Sequence, residues 1–293
     1  MTIIAILLAF ALCHFVRELG RIRKNQWLTR WVGFANDAFG RLPGWSDVLG
    51  FLVILAVPLM ALLLINSVLN GALGTTGSFL LALVVLIYSF GPRDLDTDIA
   101  SILEADDEQQ RSSALEELLG GPVPADDANC RSAAVGAVFE QALRRWFGVI
   151  FWFAVLGVVG ALLYRMVDWL DSEEPQVSDD QRGRFIRLQQ IMDWPAAQLM
   201  TLALAIATDF DSVFKAWKRY HDEQGHGLFE GDNGFLLASA QSVVLTGHAT
   251  RDGYADQLEG PMVSLQQAMD LVWRMLGVWL TALALLLLVG VLA

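Results

Sequence analysis

Apolar residues in this chain fall into blocks too long for a soluble core, and the stretches between them carry apolar positions at helical spacing. Thr2 to Val16 is apolar apart from His14, and Leu49 to Leu69 holds no charge and has Pro58 inside it. Ser78 to Phe90, Trp146 to Val167 and Leu271 to Ala293 continue the series, the last with Arg274 near its start. A hydrocarbon core of about 30 Å takes about 20 residues of helix. These blocks therefore predict an all-α, polytopic membrane protein with about five transmembrane helices. Residues Asn70 to Gly77, rich in Gly and Thr, turn the chain between the second and third blocks and make them a tight hairpin. The first block lacks a basic leader and a small-residue cleavage site, so it reads as a retained helix.

Charge orients these helices. Arg17, Arg21, Arg23, Lys24, Arg30 and Arg41 face only Glu18, Asp37 and Asp47, which places this connection on the cytoplasmic side and the N-terminus outside. Trp27, Trp31, Phe34, Phe39 and Trp45, set among those bases, predict an amphipathic helix at headgroup depth. From Gly91 to Arg131 the chain is polar and acidic. Leu95, Ile99, Ile102 and Leu103, then Leu115, Leu118 and Leu119, recur with helical period until Gly120, Gly121, Pro122 and Pro124 stop them. This is a small cytoplasmic helical module. A long helix starts near Asn129 and enters the fourth block, Ser172 to Arg187 reads as a loop, and Asp193-Trp194-Pro195 opens a helix over 196–207 that is short for a crossing. The side on which the C-terminus emerges depends on whether that helix crosses, and the flanking bases leave the choice open.

The expected division is 1–90 (first span, interface segment, hairpin), 91–130 (acidic module), 131–171 (long helix with the fourth span), 172–267 (polar loop, short apolar helix, amphipathic segment) and 268–293 (last span). The net charge of -12 sets nucleic acid aside as a partner, since affinity there comes from neutralising phosphates. Cys13 and Cys130 form no CxxC or zinc pattern. No Walker A, HExxH, GxSxG or strand-borne GxGxxG motif is present, so no cofactor can be named. The lipid bilayer is the one partner the composition demands.

Three polar constellations carry chemistry. In Gly91-Pro92-Arg93-Asp94-Leu95-Asp96-Thr97-Asp98, the proline and acids suit the first turn of a helix, while Asp94 and Asp98, four apart, could offer oxygens to a hard cation. Glu140, Gln141, Arg144 and Arg145 precede the fourth block, and Glu140 with Arg144 has the spacing of a local ion pair. Tyr164, Asp168 and Asp171 share a helical face, and Arg165 can pair with Asp168 at i+3. The three groups have purely structural uses as helix cap, ion pair and interface belt. Gly148, Gly157 and Gly160 allow close helix approach, within the chain or in a homo-oligomer.

The segments FGPRDLDTDIASILEADDEQQRSSALEELLGG, FWFAVLGVVGALLYRMVDWLDS and IMDWPAAQLMTLALAIATDFDSVFKAWK, in that order, resemble the AmpE family of inner-membrane proteins associated with the regulation of inducible β-lactamase in Gram-negative bacteria. The resemblance runs from the hairpin through Trp217. It implies the bacterial inner membrane and a sensory or transducing role for a cell-wall-derived, muropeptide-like or other anionic ligand. It points away from catalysis. A pocket of Arg93, Asp94, Asp98, Glu140, Gln141, Arg144, Tyr164, Arg165, Asp168 and Asp171 is the expected ligand site, with Asp94 and Asp98 the candidates for a metal.

The same segments are similar, more distantly, to the CobD/CbiB membrane enzymes of cobalamin synthesis, which join an aminopropanol arm to cobyric acid. That similarity implies the alternative, a membrane-embedded synthase or ligase acting on an amphiphilic substrate. Glu140-Gln141 fits that family's Glu-Asn step and Asp171-Ser172 its Asp-Ser step. Gly136 stands where its first glutamate is expected, Arg144 where an aspartate is expected, and Val167-Asp168-Trp169 replaces the stretch around its Asn-Thr. A permease is a third reading, disfavoured by the low span count, by the lack of a visible inverted repeat and by long apolar helices that read as largely uninterrupted.

Overall fold

A computed structural model of the chain describes residues 2–15, 26–91, 95–171, 177–224, 232–245 and 261–289, and among them every regular element is a helix. Arg93, Asp94, the bases Arg17, Arg21, Arg23 and Lys24, Ser172, and the side chain of His14 lie outside that description. The helices are α1 (Thr2–Phe15), α2 (Gln26–Phe39), α3 (Val48–Leu73), α4 (Thr75–Ser89), α5 (Leu95–Leu103), α6 (Glu108–Leu119), α7 (Asp127–Ala142), α8 (Gly148–Asp171), α9 (Asp179–Ala207), α10 (Phe210–Gln224), α11 (Gly234–Leu245) and α12 (Pro261–Leu288). A π-helical turn, Leu143–Phe147, joins α7 to α8.

Among the described residues three stretches are long and apolar enough, by length and composition alone, to cross a membrane: Val48–Leu73, Asp127–Asp171 and Val263–Leu286. Ile3–Cys13, Thr75–Ser89 and Gly234–Leu245 are shorter apolar helices. On α3, Met60, Leu64 and Val68 stand outward with 57%, 65% and 69% of their surface exposed, which suits lipid and would be costly in water. The chain has the fold of a helical membrane protein.

By its contacts the chain divides into two units. The first comprises Met1–Pro92 and Gly148–Met192, the second Arg93–Phe147 and Asp193–Ala293. In the first unit, α4 packs on α1, α3 and α8, and α2 lies on α3. Pro58 inside α3 leaves the carbonyl of Ile54 without its helical N–H. The Trp31 indole of α2 donates to that oxygen at 3.1 Å. Trp31, expected among the headgroup aromatics, thus completes α3 instead, while Phe34 (61% exposed), Trp27 and Phe39 remain on the outer surface. Trp31→Phe should cost about 1–2 kcal/mol by stranding the Ile54 carbonyl. In a Pro58→Ala background, where the helical N–H returns, the cost should shrink. Thermal unfolding of the four proteins of that cycle checks it, and equal costs in both backgrounds would reject the assignment.

The first unit contains two turns of one design. Gly74, with φ 61° and ψ -148°, ends α3 and starts α4 with no intervening loop. Gly157, with φ 64° and ψ -147°, interrupts α8 in the same way. Only glycine holds that conformation without strain. Three residues beyond each turn stands a second glycine, Gly77 or Gly160, and a side chain there would run into a carbonyl of the opposite limb, Leu69 O or Trp152 O. The limbs of α8 also touch at their far ends. A Cβ on Gly148 would overlap Cζ and Oη of Tyr164, whereas in a straight helix those residues stand about 24 Å apart. The fourth apolar block is therefore doubled back on itself: limb 148–156 is about 14 Å long. The hydrophobic pattern predicts one uninterrupted rod here, and with the fold-back the objection to a permease loses that support. The cause is local, since a helical hydrophobic pattern does not reveal which of its glycines has positive φ.

The expected loop up to Arg187 is helical from Asp179 onward. Gln181 Nε2 donates to Trp45 O at 2.5 Å, Arg184 pairs with Asp47, and Phe185 meets Phe51 with ring centroids 5.0 Å apart. Partners more than 130 positions away make helix out of a segment whose own composition is polar. The apolar helix expected over 196–207 is thus the second half of α9. Pro195 is internal to it, and nearby the carbonyl of Met192 accepts the Trp152 indole at 2.9 Å.

In the second unit α7 packs on α11 and α12, α10 on α11, and α5 on α6. Asp107 caps α6 by accepting from Gln110 N at 2.6 Å, and Gly120, one of the stops read from the sequence, ends it in the left-handed conformation with φ 66°. Tyr220 of α10 donates to the Asp232 carboxylate at 2.6 Å. Burial, then that hydrogen bond and charge, push its phenol well above the ordinary range, so it stays a donor at neutral pH. Both cysteines are free thiols.

Candidate functional site

The second unit gathers polar side chains where α5, α7 and α12 meet. Asp96 and Asp98 lie in the first turn of α5, where carboxylates face the exposed N–H groups of the helix end. Arg145 comes from the π-helical turn after α7. Its Nη1 donates to Asp98 Oδ2 at 2.6 Å and its Nε to Gln141 Oε1 at 3.0 Å. The guanidinium is held from both sides, by its own helix and by a residue 47 positions earlier. Side chains of Arg145 and Asp98 are 14% and 11% exposed. A π turn inserts one residue into the helical repeat and re-aims the side chains beyond it, which is why such turns recur at functional sites.

Arg144, the neighbouring cation of the same turn, pairs with Glu140 at 3.5 Å, as its spacing predicts, and is 29% exposed. That contact is longer and wetter than the Arg145 pair, so Arg144 can exchange its partner for an incoming anion at little cost. An aromatic wall closes one side. Trp146 and Trp273 have ring centroids 5.3 Å apart, and the Trp273 indole donates to Asp96 Oδ1 at 3.0 Å. The second unit thus brings Asp98, Gln141, Glu140 and Arg144 of the expected set into one cluster.

Tyr164, Arg165, Asp168 and Asp171 belong to the first unit, on the returning limb of α8. Arg165 Nη1 donates to Asp168 Oδ2 at 2.5 Å with side chains only 6% and 12% exposed, the i+3 pair read from the sequence. Tyr164 is fully buried against Gly148 and serves as packing there. Asp171 is the final residue of that limb. Arg93 and Asp94 lie outside the described residues, and with Asp94 goes half of the suggested metal pair. Asp98 has one oxygen engaged by Arg145. Among the described residues no three His, Cys, Asp or Glu side chains gather closely enough to hold a metal ion.

Asp96, Trp146 and Trp273 do not stand out as site residues in the sequence, and its pattern does not single out Arg145 above Arg144. Trp273 lies 177 positions from Asp96, and no periodicity links them. Arg145 carried a signal: with Gln141 four residues before it, two polar side chains of one face enter an apolar run, where such groups need partners.

A family model described as "CobD/Cbib protein" matches residues 3–264. The chain is 26% identical over 176 residues to cobalamin biosynthesis protein CobD of Stutzerimonas stutzeri (strain A1501), a match that covers 54% of this chain and 55% of that protein. It is 26% identical over 227 residues to cobalamin biosynthesis protein CobD of Brucella suis biovar 1 (strain 1330), covering 72% of this chain and 67% of that one. The chain therefore spans little more than half the length of the first relative and two thirds of the second. No solved structure matches.

Proposed function

The chain belongs to the CobD/CbiB family, whose model it matches from residue 3 to residue 264, and on that premise we propose that it works at the membrane on an amphiphilic, anionic small molecule held at the α5–α7 cluster. The observation behind this reading is the pair of adjacent cations in the π turn. Arg145 is locked by Asp98 and Gln141 and supplies a fixed positive field. Arg144 is looser and supplies the donors that engage carboxylate or phosphate. The half-buried Trp273, backed by the buried Trp146, offers an aromatic surface for the body of such a molecule.

The relatives' names, cobalamin biosynthesis protein CobD, favour a membrane-embedded synthase or ligase of that type. A second reading, the regulatory one of the AmpE resemblance, is favoured by particular residues. Gly136, at the place of the first family glutamate, is buried with its Cβ direction 3.5 Å from Gln241 Nε2. Arg144 stands where an aspartate is expected. Exchanging carboxylates for a glycine and a cation turns the local charge from metal-binding towards anion-binding.

Equilibrium binding to protein in lipid nanodiscs separates the two, with cobyric acid and an anhydro-muropeptide as probes. Cobyric acid that binds and, with aminopropanol and a nucleoside triphosphate supplied to activate its carboxylate, gains an amide as the activating phosphate group leaves establishes the ligase. Muropeptide binding without turnover establishes the regulatory role, and binding of neither rejects the site. Arg144→Glu should weaken whichever probe binds by about tenfold or more, as expected for a lost charge-assisted hydrogen bond. Unchanged affinity would remove Arg144 from the site.

A further inference from the structure

An outward apolar stripe of the second unit runs from α9 onto α10. Leu199, Leu202 and Ile206, spaced three and four apart on one face of α9, are 43%, 49% and 61% exposed. The chain then turns at Asp209, whose carboxylate caps α10 by accepting from Ser212 N at 3.1 Å. Phe210 and Phe214 continue the stripe at four-residue steps, 58% and 49% exposed.

The rings on α10 form an ordered ladder. Phe210 and Phe214 are near parallel (8°, centroids 6.0 Å), Phe214 and Trp217 likewise (16°, 5.9 Å), and Trp217 lies 4.3 Å from His221. Only the Phe210–Phe214 end of this ladder stands outward: the Trp217 indole donates to Gln198 Oε1 at 3.3 Å and His221 meets Phe235 of α11 at 5.6 Å, on the side where Val213 and Ala216 are buried, at 1% and 8%. On the other flank Lys215, Lys218 and Arg219 are exposed beside Asp211 and Asp222, and with Lys215 paired to Asp211 the cations left to face outward are Lys218 and Arg219. From α9 outward, the surface passes from aliphatic side chains to rings to cations. A bilayer presents its layers in that order, from acyl chains through the ring-rich boundary to phosphates. A protein partner gives no reason for such a gradient.

We propose that α10 is a membrane-surface helix, with Phe210 and Phe214 entering the acyl boundary, Lys218 and Arg219 among the lipid phosphates, and the Leu199–Ile206 side of α9 against acyl chains. The proposal does not depend on the ligand or on the choice between ligase and regulator. It also gives the second half of α9 a lipid-facing side, which the flanking charges alone do not assign.

The test uses the full chain with Cys13→Ala and Cys130→Ala, spin-labelled singly at Ile206→Cys, Phe210→Cys, Phe214→Cys or Arg219→Cys. Leu64→Cys on α3 is the lipid reference. In phosphatidylcholine–phosphatidylglycerol proteoliposomes, collision with lipid-soluble oxygen should exceed collision with a water-soluble nickel chelate at 64, 206, 210 and 214. The order should reverse at 219. Nickel-dominated collision at 214 while 64 reads lipid would overturn the proposal and leave the membrane fold standing. A label at 214 shielded from both reagents would overturn it too, by showing that a second copy or another protein segment covers the stripe. Nickel dominance at 64 as well would reject the membrane setting altogether.

Discussion

Gly148→Ala is expected to destabilise the protein by about 3 kcal/mol, the upper end of what an over-filled contact costs. The added methyl falls on Cζ, Oη and Cε1 of Tyr164, and that ring is fully buried, with no route by which to swing aside. The sign of the effect is diagnostic. Were residues 148–171 one straight helix, Gly148 would be an ordinary helix-interior glycine, and alanine would stabilise by up to about 1 kcal/mol. The hairpin reverses this. Gly157→Ala should also destabilise, by about 1–3 kcal/mol, because φ 64° with ψ -147° is open only to glycine. Trimming the ring in the double variant Gly148→Ala/Tyr164→Leu should recover part of the loss, since it vacates the space the methyl needs. Thermal unfolding in nanodiscs reads all of these variants against the parent. Stabilisation by either single glycine substitution would show that α8 is not folded back.

Arg145→Ala should be comparably severe, about 3 kcal/mol, while Arg144→Ala one position earlier should cost less than about 1 kcal/mol. The contrast lies in what each removal leaves behind. Without Arg145, Asp98 keeps its charge at a side chain 11% exposed and loses a partner at 2.6 Å. Without Arg144, Glu140 is 49% exposed and water replaces the partner. Neutralising the stranded acid with Asp98→Asn should restore much of the stability lost in Arg145→Ala. Equal losses for the two arginines, or no rescue by Asp98→Asn, would mean that the Asp98–Arg145 pair does not anchor α5 to α7. The pair of variants also separates anchoring from recognition. Arg144→Ala should affect ligand affinity more than folding, and Arg145→Ala both.

Stabilising interactions in the first unit obey a related logic on the backbone. Proline in an apolar helix strands a carbonyl, and at Pro58 the remedy is an indole from another helix, Trp31 on Ile54 O. Trp152 also donates to helix backbone, at Met192 O near Pro195, although the carbonyl that Pro195 leaves without its helical N–H is that of Ile191. Trp31, placed by the sequence among the membrane-interface aromatics, therefore acts as a hydrogen-bond donor to helix backbone, where no water would otherwise satisfy it.

The amino-acid sequence by itself determined what one-dimensional pattern can encode. The lipid-facing helices come from runs such as Leu49 to Leu69, since burying that much apolar surface in water has no small-protein solution. The capped helix α6 comes from Asp107 and Gly120, and the i+3 and i+4 pairs Arg165–Asp168 and Glu140–Arg144 from helical spacing. Those are local rules, fixed by the 3.6-residue turn. Only the tertiary structure decided that Gly157, among 25 glycines, is the one that doubles a helix back within α8. It also decided that Gly148 receives the Tyr164 ring, and that the polar start of α9 becomes helix on Asp47 and Trp45. The Asp98–Arg145 pair and the Trp273 wall likewise join residues 47 and 177 positions apart along the chain. Such features rest on which side chain arrives from elsewhere in the chain, and a pattern of hydrophobic and polar positions carries no record of that arrival.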